Sequence, residues 1–276
     1  ASTDSVGTKV KVAFLTGMAL SEDGTMGNGM GLDAADMDND GRLDIFITNF
    51  QDQVNTLYHN DGDGFFTDVS YPSETAVASL PMLAWGCALA DFDNDGLRDI
   101  FVANGHIHDN IEEFDDIGTY AQRKLLYRNL GDGRFEERGA HSGSGMADRR
   151  VSRGAAIGDY DNDGDYDIVI NNVGGSASLL RNDGGSGGGW LRVALEPPAL
   201  AVGARVWVTP TRGAKLLHEA HTGGSYASHG DGRPLFGLGD SATAALRVEW
   251  PDGATSVLKE ARAGSTVTLT HPTHTD

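Results

Sequence analysis

The residues of this chain best suited to chemistry are three acidic nonapeptides of one pattern, Asp-x-Asp-Asn-Asp-Gly-x-x-Asp. They occupy residues 36–44, 91–99 and 159–167. Carboxylates placed this densely repel one another unless a cation lies among them. Ca²⁺ suits such a cluster because it prefers about six to eight oxygen ligands in a flexible arrangement. The pattern therefore predicts one calcium site in each nonapeptide; we call these segments loops one, two and three.

The glycine at position six of each loop lets the backbone turn sharply around an ion. Carboxylates at positions one, three, five and nine can then bind the cation, together with the backbone carbonyl of position seven. The predicted ligands are Asp36, Asp38, Asp40, Arg42 and Asp44 in loop one, Asp91, Asp93, Asp95, Leu97 and Asp99 in loop two, and Asp159, Asp161, Asp163, Asp165 and Asp167 in loop three. Because the loops look closed and alike, we expect three structural Ca²⁺ ions as cofactors and assign no catalytic residue.

Two other kinds of calcium site do not fit the pattern. An EF-hand loop carries a Glu at position twelve and has a helix on each side, whereas position twelve here is Ile47, Val102 or Ile170, inside an apparent strand. Disulfide-rich calcium modules are excluded because the chain has a single cysteine, Cys87. That cysteine lies in an apolar run and is predicted to be a buried, unreactive thiol.

The flanks of the three loops are also in register, which indicates an internal repeat. The recurring features are a glycine five residues before the loop (Gly31, Gly86, Gly154), β-forming residues directly after it (45–47, 100–102, 168–170), an asparagine five residues beyond its end (Asn49, Asn104, Asn172) and a second apolar segment (57–60, 126–129, 179–182). The first two repeats add a Gly-Asp-Gly turn and a further short strand, beginning at Phe65 and Phe135. Short strands joined by such turns predict that each repeat is one blade of a β-propeller.

The order of these elements predicts an all-β chain with two parts. Residues 1–183 hold the three blades, residues 184–189 form a glycine-rich linker, and residues 190–276 form a small β domain without the acidic pattern. In that second part, the segment 250–253 is predicted to end a strand in a turn, with Trp250 in the core.

The loops, with their Gly-x-x-x-x-Asp lead-in and Leu-Tyr-x-Asn follow-on, resemble FG-GAP/VCBS repeats, the calcium-binding blades of integrin-like propellers. The second part resembles an ASPIC/UnbV domain, on residues 203–206, 223–226, 236–239 and 248–253. The combination covers the chain from about residue 20 and is similar to bacterial relatives of cartilage acidic protein. The resemblance implies a secreted, calcium-loaded, non-catalytic protein with an adhesive or interaction role.

The chain has fewer blades than a closed ring needs. Propellers close with about four to eight blades, and three are evident here. Lys9–Leu15 is predicted to be the last strand of an earlier blade that has no other strand in this chain. The chain is therefore either a fragment of a longer protein or an open arc. Because uncovered strand edges pair with other chains, we expect a protein partner or a larger assembly.

Histidines and acids outside the loops leave two interpretations open. The insertion 105–123 holds His106 and His108 among several carboxylates, which would suit either a transition-metal site or a solvated surface loop. Because long propeller loops often carry recognition, this insertion is also the leading contact region for a partner. The irregularly spaced His218, His221 and His229 are predicted to be ordinary surface or core histidines.

Charge and hydropathy exclude some functions. The net charge is −19, from 40 acidic and 21 basic residues, which argues against binding nucleic acid or anionic lipid. No run approaches the ~20 apolar residues that span a bilayer, so we expect no membrane insertion by this chain. The absence of a signal segment predicts that any such peptide has been removed or lies upstream. Because Ca²⁺ is abundant outside the cytoplasm, an extracytoplasmic location is expected: secreted, periplasmic or at the cell surface.

The predicted function is a calcium-stabilised binding or scaffold module that is not an enzyme. An alternative is an enzyme acting on polysaccharide, which would need a cleft with paired carboxylates, one of raised pKa. A carbohydrate-binding lectin is a further alternative and would need exposed aromatic side chains beside the acidic loops. The sequence contains no Gly-x-Ser-x-Gly elbow and no phosphate-binding Walker pattern.

Overall fold

The computed structural model describes residues 13–21, 24–184 and 188–274. This part of the chain forms five β-sheets, none of them closed, and only one strand pair is parallel. The predicted all-β class is confirmed. The first three sheets are antiparallel meanders, as expected of propeller blades, and the other two form what we call the C-terminal unit, residues 188–274.

Blades one and two each have four strands, and every strand pairs with the next along the chain. Blade one contains β1 (Leu32–Ala35), β2 (Asp44–Ile47), β3 (Thr56–Gly62) and β4 (Phe65–Asp68). Blade two contains β5 (Ala84–Ala90), β6 (Asp99–Asn104), β7 (Leu125–Asn129) and β8 (Phe135–Glu137). The acidic loop of each blade joins its first strand to its second, so the strands predicted after each loop are confirmed.

Blade three has three strands among the described residues. They are β9 (Ser152–Gly158), β10 (Asp167–Asn172) and β11 (Ser178–Leu180). One short helix and three 3-10 turns lie in the connections of the blades: α1 (Ser144–Ala147), with the turns at Val77–Ser79, Ile111–Glu113 and Gly139–His141.

The C-terminal unit packs two sheets against each other. Its strands are β12 (Gly189–Glu196), β13 (Arg205–Pro210), β14 (Leu216–Glu219), β15 (Leu235–Gly239), β16 (Thr243–Glu249), β17 (Thr255–Arg262) and β18 (Ser265–Thr270). One sheet has the order β14-β13-β16-β17 and the other β15-β12-β18, with β12 and β18 parallel. Helix α2 (Pro198–Ala201) follows β12, and a 3-10 turn (Pro272–His274) follows β18. Trp250 lies in the shared core at 3% exposure, which confirms its predicted burial.

Neighbouring blades are held together by apolar faces. Phe46 and Leu57 of blade one share a buried cluster with Ile100, Val102 and Tyr127 of blade two. Cys87 belongs to the same cluster, and burial raises the pKa of its thiol well above the ordinary value. The predicted burial of this cysteine is therefore confirmed.

The interface between blades two and three uses the opposite face of blade two. Ala88 and Phe101 pack there against Ala155, Ile168 and Ile170 of blade three. Alternating side chains point to opposite faces of a strand, and this is how blade two buries both of its faces.

The glycine before each acidic loop allows the first strands of the blades to approach closely. A side chain on Gly31 would collide with the carbonyl oxygen of Trp85 in blade two, and a Cβ on Gly86 would lie 2.7 Å from backbone atoms of blade three. A Cβ on Gly154 would lie 2.9 Å from the carbonyl oxygen of Tyr226. A loop of the C-terminal unit thus contacts the first strand of blade three at this glycine, while the apolar face of blade three beyond it stays exposed at Val169 and Leu179.

The predicted N-terminal strand Lys9–Leu15 differs from the structure. Residues 9–12 lie outside the described residues, and Ala13–Leu15 is helical. The reason is a local turn, in which the Thr16 hydroxyl and the Met18 N–H both donate to the Ala13 carbonyl oxygen, at 3.2 and 3.0 Å. The prediction of a strand is therefore wrong over the residues that can be described.

The insertion 105–123 is packed in part rather than solvated throughout. His106 is 1% exposed, and its ring meets that of Phe50 edge-on at 5.9 Å. Ile111 is also buried, at 5% exposure. Within the described ranges, no group of three metal-ligating side chains includes a residue of this insertion.

Candidate metal centres

The three acidic loops are built by the same set of hydrogen bonds, beginning with the first aspartate. Its carboxylate accepts from the N–H of the glycine at position six, which has a positive φ of 88 to 97° in all three loops. The pairs are Gly41 N to Asp36 Oδ2 (3.0 Å), Gly96 N to Asp91 Oδ2 (2.8 Å) and Gly164 N to Asp159 Oδ2 (2.9 Å). The glycine is required because the backbone must turn back onto this carboxylate in a conformation that L side chains disfavour.

The aspartate at position nine links the loop to two strands. One oxygen accepts from the N–H at position two, in the pairs Met37 N to Asp44 Oδ2 (3.0 Å), Phe92 N to Asp99 Oδ2 (3.1 Å) and Tyr160 N to Asp167 Oδ2 (2.8 Å). The other oxygen accepts, at 2.8 Å in each blade, from the asparagine that ends the second apolar segment: Asn60, Asn129 and Asn182.

Two further predicted positions, five and seven, also make backbone contacts. The aspartate at position five accepts from the N–H at position seven, in the pairs Arg42 N to Asp40 Oδ1 (2.8 Å), Leu97 N to Asp95 Oδ1 (2.9 Å) and Asp165 N to Asp163 Oδ1 (3.0 Å). The side chain of Arg42 pairs with Asp40, and that of Asp165 accepts from Asn94 at 2.5 Å. Position seven therefore lies directly beside the carboxylate cluster in every loop.

The structure brings three ligand atoms to within 4.8 Å of one another in each blade. In loops two and three the groups come from positions one, three and nine, and in loop one a histidine joins positions three and five. The groups are Asp91, Asp93 and Asp99; Asp159, Asp161 and Asp167; and Asp38, Asp40 and His59. Loop one therefore differs from the other two, because Asp36 and Asp44 are outside its group.

Burial makes several carboxyl groups of the loops weaker acids than an ordinary aspartate. Burial, together with neighbouring aspartates of the same loop, raises the pKa of Asp36 to about 6, of Asp91 to about 7 and of Asp165 to about 6. Oδ1 of Asp159, which is 7% exposed, has no hydrogen-bond partner among the described residues. Unpaired buried oxygens and closely spaced carboxylates both fit a hard divalent cation, which supplies the missing positive charge.

A basic residue of the second apolar segment faces the loop in blades one and two. His59 Nδ1 lies 3.2 Å from Asp44 Oδ1, and Arg128 Nε lies 2.7 Å from Asp93 Oδ2. The equivalent Arg181 of blade three instead pairs with Asp183, outside the loop. Sequence reasoning missed these residues, although each stands just before the asparagine of the recurring segment.

Loop three receives its basic residue from the C-terminal unit. Arg192 is 4% exposed, pairs with Asp159, and donates from Nη1 to Asn162 Oδ1 at 2.9 Å. Burial lowers the pKa of Arg192, and the buried guanidinium is balanced by the first carboxylate of the loop. No local pattern in the sequence pointed to this contact.

The asparagine at position four connects each loop to the next structural unit. Asn39 donates to the Gly96 carbonyl oxygen in loop two, and Asn94 donates to the Gly164 carbonyl oxygen in loop three, both at 3.1 Å. The third such asparagine is the one that contacts Arg192. The loops therefore form a continuous series from blade one to the C-terminal unit.

The C-terminal unit also packs directly over all three loops. A Cβ on Gly41 would lie 3.2 Å from the ring of Trp207, and a side chain on Gly164 would collide with Trp190. Over loop two, Gly239 N donates to the Asn94 carbonyl oxygen at 3.0 Å. The candidate metal centres are thus partly enclosed between the blades and the C-terminal unit.

Two family models match parts of this chain. The FG-GAP-like repeat model matches residues 36–102 and 117–170. The model named ASPIC and UnbV matches residues 195–276.

No helix in the described ranges combines the length and apolar character needed to cross a membrane.

Relatives and a solved structure were also found. Cartilage acidic protein 1 of Homo sapiens is 28% identical over 236 residues, covering 82% of this chain and 33% of that protein. The Xenopus tropicalis protein is 28% identical over 285 residues, covering 98% and 40%. The chain thus spans 33 to 40% of the length of these relatives. A solved structure of an Agrocybe aegerita lectin that recognises non-reducing terminal N-acetylglucosamine aligns at 18% identity over 54% of this chain and 51% of that one, with a TM-score of 0.20. The chain contains FG-GAP-like repeats followed by an ASPIC and UnbV domain, and cartilage acidic protein 1 is its homologue.

Proposed function

We propose that this chain is a calcium-binding, non-catalytic binding or scaffold module that acts outside the cytoplasm as an interaction subunit of a larger assembly. The observation that carries the proposal is an uncovered apolar face on blade three. The same face is buried in the two preceding blades.

The equivalent rows of side chains are defined by strand pairing. In blade two the row is Ala88, Phe101 and Leu126, and in blade three it is Ala156, Val169 and Leu179. Phe101 is fully buried, whereas Val169 and Leu179 are 48% and 46% exposed. A row of apolar side chains that is core in one repeat and surface in the next is suited to contact with another sheet.

The interface between blades two and three indicates what would cover this face. There, the partner surface is a sheet presenting the aliphatic residues Ala155, Ile168 and Ile170. We infer that a further blade-like sheet occupies the open face, and that in the isolated chain a second copy supplies it. In this proposal the FG-GAP-like repeats bind a partner through the same apolar packing that already holds neighbouring blades together.

Calcium is the proposed condition for this role. We propose Ca²⁺ at all three loops, with the ligands predicted from the sequence, in a propeller part of residues 1–183 that is joined by 184–189 to a C-terminal domain of 190–276. Each ion would remove the repulsion among buried carboxylates. A site of this kind stabilises the fold by about 2.7 kcal/mol when free Ca²⁺ is 100 times Kd.

A non-catalytic role is favoured over a polysaccharide-acting enzyme by the position of the carboxyls with raised pKa. Of the described aspartates with a raised pKa, only Asp33 lies outside the acidic loops. The others, Asp36, Asp91 and Asp165 among them, belong to the loops, where a bound cation would lower the same pKa values. The raised pKa values in the loops are therefore explained by the crowding of buried metal-binding carboxylates, and they do not require a general acid.

Carbohydrate binding is a second candidate, favoured by one aromatic side chain. Tyr160 stands at position two of loop three and is 68% exposed, whereas Met37 at the equivalent position of loop one is buried. An exposed ring beside an acidic loop is suited to stacking on a sugar. The variant Tyr160→Ala would abolish binding on a glycan array if this candidate is correct, and would leave thermal stability unchanged.

The interaction proposal is tested by the native mass of the chain in Ca²⁺, measured by light scattering over a range of concentrations. We expect concentration-dependent association that Leu179→Asp abolishes. The matched control is Val257→Asp, because Val257 is 64% exposed on β17, away from blade three. A monomer at every concentration, unaffected by Leu179→Asp, would contradict the proposal.

The calcium proposal has its own test, thermal unfolding with and without chelator. We expect the melting temperature to fall on chelation and to be restored by Ca²⁺. Asp99→Asn, at a position that accepts two backbone hydrogen bonds, is expected to reduce the number of bound ions by one. An unchanged melting temperature on chelation would contradict a structural role for calcium.

A further inference from the structure

A groove with a volume of about 550 Å³ lies between blades two and three. Its apolar lining comes from blade two, from helix α1 and from blade three: Phe92, Leu126, Met146, Ile168 and Leu180. The same residues belong to the cluster that packs these two blades together, or border it. The groove, which we call the blade groove, is therefore the uncovered end of an apolar junction.

The junction between blades one and two is built in the same way. Asn129 Nδ2 of blade two donates to the Met37 carbonyl oxygen of blade one at 2.8 Å. Asn182 Nδ2 of blade three donates to the Phe92 carbonyl oxygen of blade two at 2.7 Å. Because Met37 and Phe92 both stand at position two of their loops, the two junctions can be compared position by position.

The first junction is filled by two aromatic side chains that the second lacks. Tyr127 and Phe135 of blade two are buried there, in the cluster shared with blade one. The residue equivalent to Tyr127 in blade three is the smaller Leu180, since Tyr127 pairs with Ile100 and Leu180 with Ile168, each the first residue after its loop. Phe135 has no equivalent, because the sheet of blade three has three strands in the described part of the chain. The blade groove thus has room for an aromatic side chain.

The fourth strands of blades one and two share a residue pattern. In blade one, Phe66 pairs with Asn60, the asparagine of the recurring segment, and Asp68 follows two residues later. In blade two the corresponding residues are Phe135 and Glu137. A strand that completes blade three is therefore expected to read aromatic-x-acidic, with its aromatic side chain in the blade groove.

The outer edge of β11 offers backbone groups to such a strand. Asn182 N–H points toward β10, since it donates to the ninth aspartate of loop three at 2.8 Å. Because backbone groups alternate in direction along a strand, Leu179 and Arg181 present theirs to the other edge, where no strand lies among the described residues. In blade two this edge is used: the carbonyl oxygen of Leu126, equivalent to Leu179, accepts from Arg138 N at 2.7 Å.

The described ends of the linker 184–189 lie beside the acidic loops. A Cβ on Gly184 would lie 2.5 Å from Asp165 Oδ2 in loop three, and a Cβ on Gly188 would lie 2.5 Å from the Asn94 carbonyl oxygen in loop two. Neither end is paired with β11.

The charges of the blade groove suit the acidic residue of this pattern. Arg128 and Arg138 line the groove and are 43% and 49% exposed, so both guanidinium groups can meet a carboxylate. Arg138 pairs with Glu136, which is also 49% exposed, and such exposed pairs are weak enough to be exchanged. Asp93 and Asp99 line the groove too, but they belong to loop two, where the proposed Ca²⁺ offsets their charge.

We propose that an extended segment of a partner protein binds along β11 as the fourth strand of blade three, with an aromatic side chain in the blade groove and an acidic side chain facing Arg128 and Arg138. Main-chain hydrogen bonds to the edge supply affinity, and the groove supplies specificity. The inference rests on the proposed interaction role but uses another surface. The apolar face of Val169 and Leu179 lies on the opposite side of the same sheet.

The probe is a fluorescent peptide that copies residues 133–139, the chain's own aromatic-x-acidic strand with its flanks, blocked at both ends. Its binding to the whole chain in excess Ca²⁺ is measured by fluorescence anisotropy. We expect saturable binding of one peptide per chain. Phe135→Ala in the peptide is expected to weaken binding by more than ~10-fold, as for a buried aromatic anchor of an interface.

A matched pair of variants in the chain places the peptide on the correct side of β11. Leu180→Asp puts a charge into the blade groove and should weaken binding by more than ~10-fold. Leu179→Asp alters the next residue, on the opposite face, and should bind the peptide as the unaltered chain does. Since Leu179→Asp is also expected to abolish self-association, it separates the two surfaces.

A charge exchange at the exposed Arg138 keeps the test independent of how Leu180→Asp folds. Arg138→Glu in the chain should weaken binding, and Glu137→Lys in the peptide should restore it. The inference is overturned if no saturable binding occurs, or if Leu180→Asp and Arg138→Glu both bind the peptide as tightly as the unaltered chain. A missing peptide site together with self-association that Leu179→Asp abolishes would overturn this inference alone and leave the proposed function in place.

Discussion

Blades two and three share one repeat pattern but have different surroundings. Blade two has sheets on both sides, and Phe101 is fully buried between two of them. Blade three has a sheet on one side, and its equivalent Val169 is half exposed. Loop two is joined to loop three by Asn94, whereas loop three is joined to Arg192 of the C-terminal unit. The same repeat can therefore serve as an inner or a terminal blade, and its neighbours decide which side chains carry stability.

The largest expected difference between the two blades is in their apolar faces. Phe101→Ala should lower the free energy of unfolding by about 3–5 kcal/mol, because it leaves a cavity between two sheets. Val169→Ala, at the equivalent exposed position, should change it by less than about 0.5 kcal/mol. Chemical denaturation in excess Ca²⁺ measures both. Equal losses would show that the face of blade three is covered.

The next largest effect concerns the cation beside loop three. Arg192→Met should cost about 3 kcal/mol in chelator, because it leaves the buried carboxylate of Asp159 unpaired. The cost should be smaller in excess Ca²⁺, since a bound ion supplies the positive charge. The control is Arg181→Met, whose ion pair with Asp183 is more than half exposed and is worth at most about 1 kcal/mol. A cost that does not depend on Ca²⁺ would separate Arg192 from the metal site.

A smaller effect distinguishes the blades by pH. Burial raises the pKa of Asp91 in loop two to about 7, so the folded chain holds a proton that the unfolded chain releases near its ordinary pKa. In chelator, stability from this group is therefore lost as pH rises from about 4 to about 7. Excess Ca²⁺ should reverse the trend, because the ion binds the deprotonated form.

The measurement for this pH effect is the melting temperature across that range in chelator. Asp91→Asn cannot ionise and should flatten the profile, whereas Asp61→Asn, at an exposed position of blade one, should leave it unchanged. A melting temperature in chelator that rises steadily between about pH 5 and 7 would contradict the role assigned to Asp91.

The smallest expected effect concerns the asparagines that join the loops. Asn94→Gly removes two hydrogen bonds, to the Gly164 carbonyl and to Asp165, and should cost about 1–2 kcal/mol. Asn162→Gly removes a single bond, to Arg192, and should cost about 1 kcal/mol or less. Glycine is the suitable replacement because both residues have a positive φ, 58° and 62°. Equal costs would mean that the two junctions are equally strong.

The blades were predictable because their signals are local. A loop whose ninth residue is Asp44, followed at once by alternating β-formers, indicates a turn and a strand within a dozen residues, and the repeat supplies three copies of the same evidence. The burial of Cys87 and Trp250 also followed from their immediate neighbours. The helical turn at 13–15 did not, because the bonds of Thr16 and Met18 to Ala13 override the strand preference of the segment.

The surroundings of the loops were not predictable in the same way. Arg192 meets Asp159 across 33 positions in the sequence, and His221 approaches Asp33 across 188. Such contacts depend on how the C-terminal unit sits on the blades, which no local spacing encodes. The position of His59 was easier to notice in the sequence, because a basic residue recurs there in all three repeats. That its side chain points toward loop one follows only from the observed strand pairing.

The series of position-four asparagines bears on how such chains can grow and shrink during evolution. Blade two offers an asparagine amide on one side and a glycine carbonyl on the other, so a repeat built like it leaves matching ends when it is duplicated or deleted. In the last loop, Asn162 contacts Arg192 of the C-terminal unit in place of a further blade. Gene duplication can therefore alter the number of blades without redesigning their junctions, and the C-terminal unit can terminate an array of any length.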